Sequence, residues 1–158
     1  MHLGIRKIEY IDSTSLHDYS MLPPGSRLDI SDFIKSGFGF SELPFTPETG
    51  NLEEQWIDDD NGKHSQVSFS ASIRKGKDSH KSLLQSLVGR KCVWKLTLIS
   101  GLVYIIGSRE YVPKFTYSDG VSGLSSSEFN INIDNESLHG LLVNSASSVV
   151  RASFQSRA

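Results

Sequence analysis

The nine residues QVSFSASIR at positions 66–74 alternate without a break. Val67, Phe69, Ala71 and Ile73 fall on one side, and Ser68, Ser70, Ser72 and Arg74 on the other. A period of two belongs to an extended strand, whose successive side chains point to opposite faces, and a helix cannot sort this pattern. One face is built to be buried and the other to be wet. The chain therefore holds an antiparallel sheet with a polar side.

Just upstream stands WIDDDNGKHS. Asn-Gly is the strongest short hairpin signal, because a type I′ turn needs positive φ at both central residues. It predicts a turn centred on Asn61-Gly62, with residues 52–57 as the partner strand. Asp58, Asp59 and Asp60 then form an acidic hairpin tip in solvent. A calcium loop with Gly62 in sixth place would put Ile57 first and Ser68 twelfth, where an oxygen ligand and a Glu are required. The spacing fails. Acid–base catalysis fails too, since it needs carboxyl groups in contrasting environments and a wet tip gives all three the same one.

The remaining chain reads as more strands and one helix. Residues 3–10 alternate and predict a first strand. Residues 12–47 lose periodicity and hold four of the five prolines, Pro23, Pro24, Pro44 and Pro47. A turn of helix fits residues 31–35, with Ser31 as its cap. Long excursions of this kind inside a compact domain are usually arms or lids. Phe38 and Phe40 within SGFGFSELP, and Phe45 after it, form a candidate assembly arm flanked by prolines; a loop folded back over its own core accounts for them as well. Helical spacing of Leu83, Leu84, Leu87 and Val88 predicts a helix over residues 79–88, capped by Asp78 or Ser79 and ended by Gly89. Cys92, Trp94, Leu96 and Leu98 mark the buried face of a following strand. Further strands fit residues 102–106, 115–117 and the alternation of Phe129, Ile131 and Ile133, while LLVNSASSVVRASF is open between strand and loop. The sum is one domain over residues 1–158: mainly β, an antiparallel β-sandwich or small barrel with one short α-helix on its side.

Several chemistries are excluded by what is missing. A single cysteine, Cys92, allows neither an internal disulfide nor a cysteine-built zinc site, and its phase with Trp94 makes it a core thiol. The five histidines, His2, His17, His64, His80 and His139, show no i, i+2 or i, i+4 pair. No G-x-S-x-G elbow and no GxxxxGK[ST] loop occur, and Gly37-Phe38-Gly39 lacks a third glycine. Ser72 and Lys75 match S-x-x-K without its companion motifs. No catalytic residue, metal ligand or cofactor is expected. A net charge of −2 argues against a basic nucleic-acid stripe. No apolar run approaches about 18 residues, and the N-terminus lacks signal-peptide character, so the expectation is a protein of the cytosol or assembled there, with no membrane partner. The Asn135-Glu136-Ser137 sequon has no meaning without secretion.

The stretch LPFTPETGNLEEQWIDDDNGKHSQVSFSASIRKGKD, followed by LLQSLVGRK and GLVYIIGSREYVPKFTYSDG, resembles structural proteins of bacteriophage tails. It resembles especially the small tail-tube-like proteins of phages and prophages of the Bacteroidetes. The likeness spans about residues 44–137 and lies in the order of strands and turns. It implies a non-enzymatic virion protein, assembled in the host bacterial cytoplasm, whose copies join their sheets into rings that stack into a tube. Its partners would be copies of itself and other tail or neck proteins, with DNA only passing through. Ser68, Ser70 and Ser72 would then be a candidate lumen-facing polar strand, and residues 12–45 an arm to the next ring. The same serines equally suit a sheet face turned to water. The long excursion departs from the family pattern and leaves open a neck or adaptor ring, or a tail terminator. A β-sandwich module binding carbohydrate or a host-surface partner is the other alternative, with Trp56 as its one candidate aromatic.

Overall fold

The computed structural model describes residues 4–24, 26–44, 50–60, 62–74, 78–119 and 128–144. The strands are β1 (Ile5–Asp12), β2 (Arg27–Leu28), β3 (Ser41–Leu43), β4 (Asn51–Asp59), β5 (Gly62–Arg74), β6 (Cys92–Leu98), β7 (Val103–Ile106), β8 (Lys114–Asp119), β9 (Glu128–Ser137) and β10 (Leu142–Asn144). The one α-helix among the described residues, α1, is Asp78–Leu87, with 3-10 turns at Ser13–Ser15 and Ile30–Phe33. They form two sheets, ordered β2-β10-β7-β6-β1-β3 and β4-β5-β9-β8. The chain is a mainly β sandwich with one short helix, and neither sheet closes into a barrel.

The alternation that opened the sequence does what its period requires. Val67, Phe69, Ala71 and Ile73 are buried, as are Phe129, Ile131 and Ile133 opposite them on β9. Facing them from the six-stranded sheet are Ile5, Ile8, Trp94, Leu96 and Ile106, and α1 adds Leu84 and Leu87 to the same cluster. Ile5 and Ile8 lie three apart yet reach one core, because β1 shifts register between Ile5 and Lys7; the extra residue rotates the strand by one phase. Gly50 sits where β4 begins against this core. A Cβ there would stand 2.6 Å from Ile5 Cγ1 and 3.2 Å from Phe69 Cε1, so only glycine lets the backbone approach.

The described parts of the 12–47 excursion pack onto the domain. Leu16, Tyr19, Leu28 and Ile30 are buried against Ile11, Val93, Ile105 and Leu142 on the far face of the six-stranded sheet, making a second core. Strand β6 is therefore buried on both faces, where its sequence marked only the Cys92–Trp94–Leu96 side. The layers are three: the four-stranded sheet, the six-stranded sheet and the excursion. Strand β2, inside the excursion, pairs in parallel with β10, while every other strand pair is antiparallel.

Three local expectations are corrected, and the reading left open for the tail is partly resolved. The helical turn near Ser31 is 3-10 at Ile30–Phe33, and its cap is Asp29, whose Oδ1 accepts from Ser31 N at 3.1 Å. Helix α1 ends at Leu87, with Gly89 at φ +81°, so Val88 leaves the apolar stripe and is 49% exposed. The β4–β5 register pairs Asp58 with Lys63 and Asp59 with Gly62, so Gly62 opens β5 and is not a central residue of the turn. Gly62, at φ +98°, supplies the left-handed residue that follows the turn, and Asn61 lies outside the described residues. From the ambiguous tail, residues 142–144 form β10 and positions 145–158 lie outside the described residues.

The two faces of β5 give a direct test. Phe69→Ala should destabilise by about 3–5 kcal/mol, the cost of deleting a fully buried ring. Ser70→Ala, one position on and on the wet face, should stay within about 0.5 kcal/mol. Urea unfolding followed by far-ultraviolet circular dichroism measures both.

Candidate functional site

The outer face of the four-stranded sheet is built by cross-strand register. One row runs Glu53, Ser68, Asp134, Lys114; the next runs Asn51, Ser70, Asn132, Thr116; a third sets Ser72, Asn130 and Ser118 side by side. Side chains opposite one another on a sheet share a face, so these rows form one polar surface. Three β5 side chains donate to β9 across it. Gln66 Nε2 reaches Glu136 Oε1 at 2.8 Å, Ser68 Oγ reaches Asp134 Oδ1 at 2.9 Å, and Ser72 Oγ reaches Asn130 Oδ1 at 3.2 Å. The serines are thus half of a hydrogen-bonded ladder whose other half is the Asn/Asp side of β9. Among the described residues this face carries no exposed aromatic ring.

Asp58, Asp59 and Asp60 are exposed, two closing β4 and one in the turn. Among the described residues, no group of three His, Cys, Asp or Glu side chains is arranged to hold a metal. Phe38, Phe40 and Phe45 separate. Phe38 is 59% exposed, Phe40 packs on the second core with Lys95 Nζ 4.4 Å from its ring centre, and Phe45 lies outside the described residues. Trp56 is half-buried on the inner side of β4, where a Cβ on Gly140 would stand 2.6 Å from its Cζ2. Part of its ring packs against Gly140 inside the fold.

Cys92 is buried, and burial pushes its thiol up to about 11, so it stays protonated and inert at neutral pH. Asp12, beside it, is held below the usual carboxylate range chiefly by Arg90, whose Nε and Nη2 donate at 2.6 and 2.9 Å.

A second polar cluster, unmarked in the sequence, joins the excursion to the sheets. Tyr19 donates its hydroxyl to the Gly107 carbonyl at 2.8 Å, and burial raises its pKa far above the ordinary phenol value. Asp18 accepts from the Ser20 hydroxyl, which lies 2.8 Å from Ser108 Oγ. Ser108 Oγ is in turn 3.0 Å from His139 Nε2, and His139 Nδ1 is 2.7 Å from the Gly140 carbonyl. A carbonyl only accepts, so Nδ1 carries hydrogen and the neutral ring takes the Ser108 proton at Nε2. The geometry is that of a serine–histidine dyad, but Ser108 and His139 are both 0% exposed, with the Tyr111 ring edge-on to the imidazole at 5.5 Å. No substrate reaches that oxygen in this fold. The cluster acts as a latch. Ser20 and Ser108 are 88 positions apart and His139 another 31 along, so no local spacing could have flagged it.

No family model, curated protein or solved structure matches the chain. Among the described residues no helix is long and apolar enough to cross a membrane.

The latch predicts a pH dependence. Burial pulls the His139 pKa below 6.5, outweighing the Gly140 carbonyl and the Asp18 charge that pull it back. A lowered histidine pKa gives stability that is complete above the unfolded-state value and is lost as pH falls below it. From pH 7.5 to 5, the urea midpoint should therefore drop more steeply in the native protein than in His139→Asn, whose side chain does not titrate. Parallel profiles would show that His139 does not contribute.

Proposed function

We propose that the chain is a non-enzymatic virion subunit that assembles head to tail into rings of a phage tail tube, with the polar face of β4-β5-β9-β8 lining the lumen. The observation that carries this reading is a sheet with one largely polar face, interrupted by Ile57 opposite His64, and two edges open to partners. Among the described residues β4 pairs only with β5, and β8 only with β9. Successive strands in this sheet are antiparallel and number four, so its two edges run in opposite directions. Rotation of a second copy about an axis near the strand direction then sets β8 beside β4 antiparallel, and the alternation continues through the junction. Pairing β4 with β4 antiparallel about its middle would set Glu53 of each copy beside Asp58 of the other, which like-charge repulsion disfavours. Charge thus selects the head-to-tail joint.

The same face suits a conduit. Each Lys or Arg contact to a phosphate adds salt-dependent affinity, which would hold DNA back. By register the face carries serine, asparagine, threonine and carboxylates, with Lys114 at the β8 end and Arg74 opposite Glu128 at the end of β5. Partners on this reading are copies of the chain and neighbouring tail proteins, with DNA in passage, in a virion assembled in the host cytoplasm. A neck, adaptor or terminator ring would use the same joint without stacking.

Solution mass and negative-stain images of the purified protein test the proposal. Tubes support the tail-tube reading, closed single rings the neck or terminator form, and a monomer at all concentrations removes the joint. A second test separates surface from core in the arm. Phe38→Ser should leave stability within about 0.5 kcal/mol and weaken stacking, whereas Phe40→Ser should lower the urea midpoint by uncovering the second core.

A further inference from the structure

Strand β8 stops short. Its first residue, Lys114, pairs with Asp134, and β9 runs on through Asn135, Glu136 and Ser137 with no strand beside it on that side among the described residues. The chain before β8 bows away here, leaving a groove of about 710 Å³ lined by Glu110, Tyr111, Lys114, Asp134, Asn135 and Glu136, among others. Three carboxylates against one ammonium make its named walls acidic. Asn135 is 5% exposed, and neither Oδ1 nor Nδ2 has a hydrogen-bond partner. Leaving a buried amide unmet is costly, and natural folds rarely do so without a reason.

A carboxamide offers one acceptor and two donors, the complement of the N–H and C=O of a peptide unit. An uncovered strand margin beside it invites an extended segment to add on. Carboxylates on the walls match the planar donor fork of a guanidinium. We propose that this groove binds an extended arginine-bearing segment, and that its occupant is residues 145–158 of a neighbouring copy. That sequence, SASSVVRASFQSRA, carries Arg151 and Arg157 and no Asp or Glu, so its charge complements the groove. In its own copy it departs from β10 in the six-stranded sheet, whereas the groove lies along the four-stranded one. The inference rests on the self-assembly reading and gives it a second, charge-dependent contact.

The experiment titrates a synthetic peptide of residues 145–158 into the full-length chain at a protein concentration where it is monomeric. Isothermal calorimetry and the Asn135 side-chain amide resonances report binding. The expected result is saturable binding that shifts those resonances, weakens at least tenfold in Glu110→Gln, and is lost when the peptide's two arginines are replaced by glutamine. Asn135→Ala should also lose binding. Glu110 is exposed, so its substitution keeps the test valid even if Asn135→Ala folds poorly. Absence of binding, or equal binding by Glu110→Gln and by the arginine-free peptide, overturns the proposal. Rings that form undiminished in Glu110→Gln would overturn the groove and leave the ring standing, whereas peptide binding by a chain that never oligomerises would keep the groove and remove the ring.

Discussion

The burial of β6 on both faces organises the molecule. Trp94 lies stacked on Phe115 of the opposing sheet, with ring centres 5.3 Å apart and planes 14° from parallel, and Tyr10 of β1 tilts against it at 5.5 Å. One residue earlier, Val93 points the other way into the second core with Ile11 and Ile105. A strand with one wet face could hold only one layer. One phase of β6, Cys92, Trp94, Leu96 and Leu98, is apolar throughout, and the other, Val93, Lys95 and Thr97, is covered as well, with Val93 its apolar contact and only Lys95 partly exposed. Lys95 fits this setting by reaching Glu9 at 3.4 Å and lying over the Phe40 ring.

The apolar cover of the second core is supplemented by the polar latch. Tyr19, Ser20, Ser108 and His139 are all buried, and their bonds cross from the excursion to the loop after β7 and the turn after β9. Hydrogen bonds are directional where apolar contacts are not, so the latch fixes where the excursion lies more than how strongly it is held. Its proximity to the groove follows from the same loop. Ser108 anchors one end of residues 107–113, and Glu110 and Tyr111 from the middle of that loop line the groove.

How much was legible in the sequence depended on whether the signal was local. Alternation in QVSFSASIR and in Phe129–Ile133 is a property of neighbours, so both strands and their buried faces could be read directly. The helix was legible from its leucines, though its end fell one residue earlier because Gly89 takes the left-handed conformation. The excursion was not legible. Leu16, Tyr19, Leu28 and Ile30 share no period, since each meets the sheet from an irregular chain. Of the candidate site, the serine face was visible but its β9 half was not recognised as the bonding partner, because pairing register is a tertiary fact. The groove and the latch depend on residues tens of positions apart, and nothing in spacing or composition could place them.

The parallel pairing of β2 with β10 has a consequence in time. Among the described residues, 27–28 have no strand neighbour other than 143–144, and Leu142 is a buried member of the core that covers the excursion. During synthesis the chain emerges from its N-terminal end, so the apolar residues of positions 16–30 must wait until nearly the whole of the described chain has left the ribosome. Until then Leu16, Leu28 and Ile30 lack part of their cover. Such distant pairing makes closure a late step and the waiting segment a natural client for a chaperone.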